Sequence, residues 1–158
     1  MPVLTVDEAV AFVEGQRERK ALVVFTNGVF DLLHIGHARY LKKARALGDA
    51  LIVGVNSDSS VRQLGKGDDR PVTPEGDRAE LLSSLACVDG VVIFGEATPE
   101  QLIRQLLPDI LVKGSDWEGR ENPGQKFIEA RGGAMMFIPL EGGYSTTNLL
   151  DRIRKSRV

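Results

Sequence analysis

The sequence predicts a single α/β domain built on a Rossmann-like, doubly wound parallel sheet of about five strands. Three observations lead there. Apolar, β-branched runs without alternation recur along the chain, the pattern of strands buried on both faces of a parallel sheet. Segments with helical spacing separate them, each long enough for the crossover that parallel neighbours require. At 158 residues, 42% of them hydrophobic, the chain can bury a self-sufficient core without metal or disulfide staples.

In chain order, Thr5 stands three residues before Glu8, a capping-box spacing, and Ala9, Val10, Phe12 and Val13 follow as an apolar face up to Gly15. Residues 1–20 are therefore expected to hold a leading helix and residues 21–158 the core of the domain. The strand runs are ALVVFT from Ala21, ALIVGVN from Ala50, GVVIFG from Gly90 and DILVKG from Asp109, with AMMFIPL from Ala134 as a weaker fifth. Helical spacing covers residues 35–47, 57–64, 75–87, 99–107, 125–131 and 145–154. Two irregular stretches, 65–74 and 114–124, are rich in glycine and charge and follow strand-bearing units, where such folds place ligand loops.

Composition narrows the partners. Twenty Lys and Arg against 22 Asp and Glu give a net charge of -2, without the basic excess expected of a nucleic-acid binder. Cys87 is the sole cysteine; its setting in LLSSLACV suits a buried thiol in a reducing compartment. No apolar run approaches the roughly 18 residues of a membrane span. The opening MPVLTVDEAV carries acids where a signal peptide would carry basic residues. A cytoplasmic protein with no membrane partner is expected.

The most informative stretch is FTNGVFDLLHIGHARYL, from Phe25 to Leu41. It leaves the first long strand through Asn27 and Gly28 and sets the chain's two histidines, His34 and His37, around the start of a helix. A helix N-terminus offers unpaired N–H groups and the positive end of the dipole to phosphate, while Gly28 and Gly36 admit close approach. Two imidazoles there can donate hydrogen bonds to charge developing on a reacting α-phosphate, which is electrostatic stabilisation without a covalent intermediate. Near the C-terminus, Ser145, Thr146 and Thr147 open the last helix, where hydroxyls and free N–H groups suit phosphates.

NGVFDLLHIGHARYL resembles the HxGH element of the cytidylyltransferase-like nucleotidyltransferases, and YSTTNLLDRIR resembles their second motif. The similarity extends through LIVGVNSDSSVRQL, RPVTPEGDRAELL, SSLACVDGVVIF, TPEQLIRQLLPDILVKGSD and GGYSTT to the bacterial heptose 1-phosphate adenylyltransferases, and covers nearly the whole chain from Ala21. The resemblance implies transfer of AMP from ATP to a sugar 1-phosphate, with release of pyrophosphate and formation of an ADP-sugar such as the ADP-heptose used for lipopolysaccharide. It implies Mg²⁺ held mainly by the triphosphate and not by protein ligands. It also implies a homodimer and a separate sugar kinase upstream. His34, His37 and Lys66 are then the catalytic set. Thr26, Asn27, Gly28, Phe30, Gly36, Lys113 and Ser145 to Thr147 join the histidines in holding the nucleotide. Asp31, Arg78, Asp116 and Trp117 face the acceptor.

Other roles compete for these residues. The histidine pair could ligate a metal, although no Cys or further His is present to complete a zinc site, or could simply cap or pack the helix. Lys66 beside Asp68 and Asp69 reads as a solvated loop lysine without the family match. Ser145 is an N-cap in any case, Arg78 could end a surface ion pair, and Trp117 could be core or a stacking face. DWEG at 116–119 looks more like the glycerol 3-phosphate cytidylyltransferases, whereas Leu140 stands where those enzymes usually place an arginine before STT. Cytidylyl transfer from CTP to glycerol 3-phosphate is thus the second reading, and a non-catalytic nucleotide-binding module the third.

Overall fold

In the computed structural model, which describes residues 2–65, 69–140 and 142–156, one six-stranded parallel sheet carries helices on both faces. The elements run β1 (Val3–Leu4), α1 (Val6–Glu18), β2 (Val23–Gly28), α2 (Ile35–Arg45), β3 (Ala50–Asn56), α3 (Asp58–Gln63), α4 (Glu75–Ser83), β4 (Gly90–Phe94), α5 (Glu100–Leu106), β5 (Ile110–Gly114), a 3₁₀ turn over Ser115–Trp117, α6 (Gln125–Glu129), β6 (Ala134–Ile138) and α7 (Thr146–Lys155). The five expected strands are present. The sixth, β1, is two residues on the edge beside β4, too short to leave a periodic signal.

Strand order is β1-β4-β3-β2-β5-β6. From β2 the chain winds outward through β3 to β4, then returns to the opposite side of β2 to lay down β5 and β6. The direction of winding reverses between β2 and β5, which makes their carboxyl ends the place where this architecture opens a crevice. Alternation sorts each strand's side chains by face. Val24, Leu51, Val53, Val55, Val91 and Val112 pack with Leu41 and Ala44 of α2 and Ala79 and Leu82 of α4. Val23, Phe25, Ile52, Val92 and Leu111 pack with Ala9 and Val13 of α1, Leu102, Ile103 and Leu106 of α5, and Ile128 of α6. Both faces are covered, which is why the strands read as unbroken apolar runs.

The helices start close to where spacing put them, and their caps say why. Thr5 and Glu8 complete the capping box of α1, Ser57 accepts the Ser60 N–H at α3, and α7 begins behind the N-cap Ser145. Helix α4 stops at Ser83, short of the expected Cys87, because the chain must turn at 84–88 to enter β4.

Three aspartates hold the strands in register. Asp49, Asp89 and Asp109 each stand one residue before a strand, and each accepts a backbone N–H from the start of a neighbour: Asp49 from Leu22, Asp89 from Leu51 and Asp109 from Val23, all at 2.8 Å. These bonds satisfy amides that begin a strand with no ladder partner. Asp109 matters most for the crevice, because it fixes β5 against β2. Asp109→Ala should lower the unfolding free energy in urea by about 1–3 kcal/mol, the cost of leaving the Val23 amide unpaired, with Asp109→Asn losing less. Unchanged stability in the alanine variant would remove the pinning role.

Candidate active site

The carboxyl ends of β2, β3 and β5 open into a cleft of about 750 Å³. Its floor is the loop from Gly28 to His34. Phe30 takes the left-handed conformation, φ 50°, which is strained for a non-glycine residue and is found mainly where function over-determines the backbone. The Phe30 ring meets His37 edge-on at 5.1 Å between centroids. Gly28 makes room for it, since a Cβ there would lie 3.0 Å from the ring.

His34 is the N-cap residue of α2 and His37 lies in its first turn; their rings stack at 3.8 Å. Both Nδ1 atoms are buried without a hydrogen-bond partner. Unpaired buried polar atoms are costly, about 1–3 kcal/mol each, and concentrate where a ligand supplies the missing partner. Burial lowers the pKa of His34, and burial together with neighbouring His34 brings His37 down to about 4. Near neutral pH the pair is two uncharged imidazoles.

The second motif closes on the first through Gly36. A Cβ at Gly36 would stand 2.9 Å from the Tyr144 Cβ and 3.0 Å from His34 Cε1, so only glycine lets the segment before α7 approach this closely. Ser145 Oγ accepts the Asn148 N–H at 3.0 Å, and Ser145, Thr146 and Thr147 line the cleft. Two helix N-termini therefore meet across Gly36, each able to favour an anion.

On the β5 side, Lys113 Nζ donates to Asn27 Oδ1 at 2.5 Å and sits 5.2 Å from the Trp117 ring centroid. Burial pushes its pKa down to about 8, opposed by the nearby Asp116 carboxylate. Asp116 and Trp117 line the same wall.

Of the residues singled out from sequence, Asn27, Gly28, Phe30, Asp31, His34, Gly36, His37, Lys113, Asp116, Trp117 and Ser145 to Thr147 all line the cleft. Thr26 does not. It is buried beneath the floor, where its hydroxyl donates to Val112 O at 3.0 Å and so accepts from Tyr40 OH at 2.8 Å. It ties β2 to β5 and α2. Arg78, expected to reach the acceptor, is also internal: it is 1% exposed and donates to Thr73 O, Val29 O and Asp58 Oδ1 at 2.9, 2.6 and 2.7 Å. Its three bonds brace the floor loop against α3 and the turn before α4. Lys66 lies outside the described residues.

Asp31 lies in the wall, with both oxygens engaged by protein. Oδ2 accepts from Arg70 Nε, and Oδ1 accepts the N–H groups of Val72 and Thr73 at 2.8 and 2.9 Å. Sequence reasoning missed Arg70, Asn56, Tyr40 and Tyr144, which also line the cleft. Arg70 falls within the glycine- and charge-rich stretch 65–74. Asn56 ends β3 as Asn27 nears the end of β2, a repeated asparagine at the carboxyl ends of buried strands that could have marked it.

The sequence profile of the cytidylyltransferase-like family matches residues 25–149. The chain is 52% identical over 140 residues to a protein of Syntrophotalea carbinolica named Bifunctional protein HldE, covering 89% of this chain and 28% of that one. Curated relatives of that name are matched over 28% to 32% of their length in the two cases from Syntrophotalea carbinolica and Geotalea uraniireducens. Among solved structures, the lipopolysaccharide core biosynthesis protein from Thermoplasma volcanium superposes with a TM-score of 0.64 at 34% identity, covering 77% of this chain and 97% of that one. Pantoate-beta-alanine ligase from Francisella tularensis, at 12% identity, TM-score 0.58 and coverage of 99% and 79%, shares the fold. The HxGH segment and Ser145 to Thr147 fall inside the matched region, and the chain belongs to the cytidylyltransferase-like family.

Proposed function

We propose that the protein transfers AMP from ATP to a sugar 1-phosphate, a heptose 1-phosphate or close relative, giving an ADP-sugar and pyrophosphate. The observation that carries this is the stacked, uncharged His34–His37 pair at the start of α2, facing the N-terminus of α7 across Gly36. The α7 start suits the β and γ phosphates, which sets the α-phosphate over the imidazoles. An acceptor phosphate oxygen attacks the α-phosphorus in line, the bond to the bridging oxygen breaks, and pyrophosphate leaves. The imidazoles donate to the non-bridging oxygens as charge builds there, and positioning supplies much of the rest. Lys113 adds a cation beside the cleft floor.

A divalent cation is expected to arrive on the triphosphate. Among the described residues no group of three or more His, Cys, Asp or Glu gathers to hold one, and Asp31 is engaged with Arg70 and the 72–73 amides. Mg²⁺ when bound would offset triphosphate charge.

The choice of ATP and a sugar phosphate is supported by the relatives named HldE and by the lipopolysaccharide core protein among the structural neighbours. Leu140, apolar and on the cleft wall, supports it over cytidylyl transfer, since it offers none of the charged hydrogen bonds an arginine would give. A sugar kinase activity would supply the acceptor phosphate, and the family resemblance adds a homodimer as the working form. No described helix is long and apolar enough to cross a membrane.

The direct test is pyrophosphate release from ATP, CTP, GTP and UTP against sugar 1-phosphates and glycerol 3-phosphate at fixed Mg²⁺. Higher kcat/KM for ATP with a heptose 1-phosphate is expected; CTP with glycerol 3-phosphate in first place would overturn the substrate assignment, and no release with any pair would leave only a binding module. His34→Ala and His37→Ala should each lower kcat by about two orders of magnitude or more while far-ultraviolet circular dichroism is unchanged. Near-normal turnover in both would remove their catalytic role.

The pH profile carries a further expectation. Lys113 is protonated below its pKa of about 8 and loses its charge as pH rises through that value, so kcat/KM for ATP should fall on the alkaline side from about pH 8. Lys113→Arg keeps its charge and should move that limb upward. A limb at the same pH in both proteins would assign it elsewhere. His37, with a pKa of about 4, should give the free enzyme no acid limb between pH 5.5 and 7.5, to within about a unit.

A further inference from the structure

In the proposed reaction two anionic substrates meet over the histidines, and a cation beside each would offset their mutual repulsion. Among the described residues that line the cleft, only Arg70 and Lys113 carry cationic side chains, the histidine pair being uncharged. They enter from opposite sides. Lys113 ends β5 and is bonded to Asn27 beside Trp117, on the side of the sheet that leads on to β6 and the phosphate-favouring start of α7. Arg70 comes from the segment between α3 and α4, which follows β3 on the other side of β2. The histidine loop leaves β2 between them.

Arg70 is also held for use. Its side chain is 11% exposed and its Nε is engaged by Asp31 Oδ2, which orients the planar guanidinium while its terminal amines are not part of that bond. Asp31 Oδ1 grips the Val72 and Thr73 amides, so one carboxylate sets both the guanidinium and the backbone that carries it. A carboxylate committed in this way has little capacity left to meet substrate itself. A pre-oriented guanidinium is suited to paired hydrogen bonds with a phosphate group.

We propose that Arg70, oriented by Asp31, binds the phosphate of the acceptor, and that Asp31 is its positioning residue. The proposal rests on the transferase reading given above and adds which side chain receives the second substrate. Lys113 and the α7 N-terminus serve the nucleotide, Arg70 serves the acceptor, and the histidines lie where the two phosphates converge.

The test is steady-state kinetics of the full chain, with ATP and a sugar 1-phosphate varied separately, for Arg70→Ala, Arg70→Lys, Asp31→Asn and the Asp31→Asn/Arg70→Ala double variant. Arg70→Ala should raise the KM for the sugar phosphate by about ten- to a hundredfold, the worth of one or two charge-assisted hydrogen bonds. The KM for ATP should change by less than about threefold. Arg70→Lys should recover part of the loss, and free guanidinium ion at low concentration should partly restore Arg70→Ala. Asp31→Asn should raise the same KM and add little to it in the double variant, the coupling expected of a residue acting through the arginine. Thermal melting identifies any variant that fails to fold; if Arg70→Ala does, the sugar phosphate KM of Arg70→Lys against its ATP KM decides. An unchanged sugar phosphate KM, or equal rises for both substrates, would overturn the proposal. Absence of turnover in the wild-type protein with every sugar phosphate would instead remove the reading on which it rests, and the proposal with it.

Discussion

The feature on which the site depends is the reversal of winding between β2 and β5. Every other long strand boundary in the sheet is crossed by a connection running in one direction, but these two neighbours send their chains apart, which opens a crevice at their carboxyl ends. The two strands must nevertheless stay paired. Asp109 fixes the start of β5 to β2, and the Thr26 hydroxyl bonds Val112 O near their far end. That pairing brings Asn27 and Lys113 within a hydrogen bond of each other and sets the distance across which substrates must fit.

From this frame the chemistry follows by local constraints. The loop leaving β2 must turn sharply into α2, and it does so through Phe30 in a left-handed conformation with Gly28 clearing its ring. Arg78, fully internal, braces that loop by donating to Val29 O and also holds Thr73 O and Asp58. The histidines are thereby delivered stacked, partly dehydrated and uncharged at a helix N-terminus. In the proposed reaction, neutral imidazoles would leave the helix dipole as the main pull on an incoming polyanion and would become more favourable partners as negative charge grows on the reacting phosphate.

Much of this was legible in the sequence, for physical reasons that differ from element to element. The unbroken apolar runs of β2 to β5 and the capping box at Thr5 and Glu8 reported fold class because burial on both faces and cap chemistry are written in short stretches of chain. That His34, His37, Asn27 and the Ser145 to Thr147 cluster would gather at one cleft was visible because they mark helix starts and a strand end by residue type and spacing. The edge strand β1 was not, since two residues carry no periodicity. Arg78 was misplaced because its role depends on partners 5, 20 and 49 residues away, and spacing cannot distinguish an arginine that reaches a ligand from one that braces the floor beneath it. Arg70 was missed for the same reason: its engagement with Asp31, 39 residues distant, exists only once α3 and α4 are folded beside the floor loop.

The central claim is that the reacting atom is the α-phosphorus, held over the histidine pair while the β and γ phosphates lie toward α7. Incubation with a sugar 1-phosphate and ATP radiolabelled at either the α or the γ phosphorus tests it most directly. The α label is expected in the sugar nucleotide and the γ label in pyrophosphate alone. Transfer of γ label to the sugar phosphate, with ADP as the other product, would contradict it.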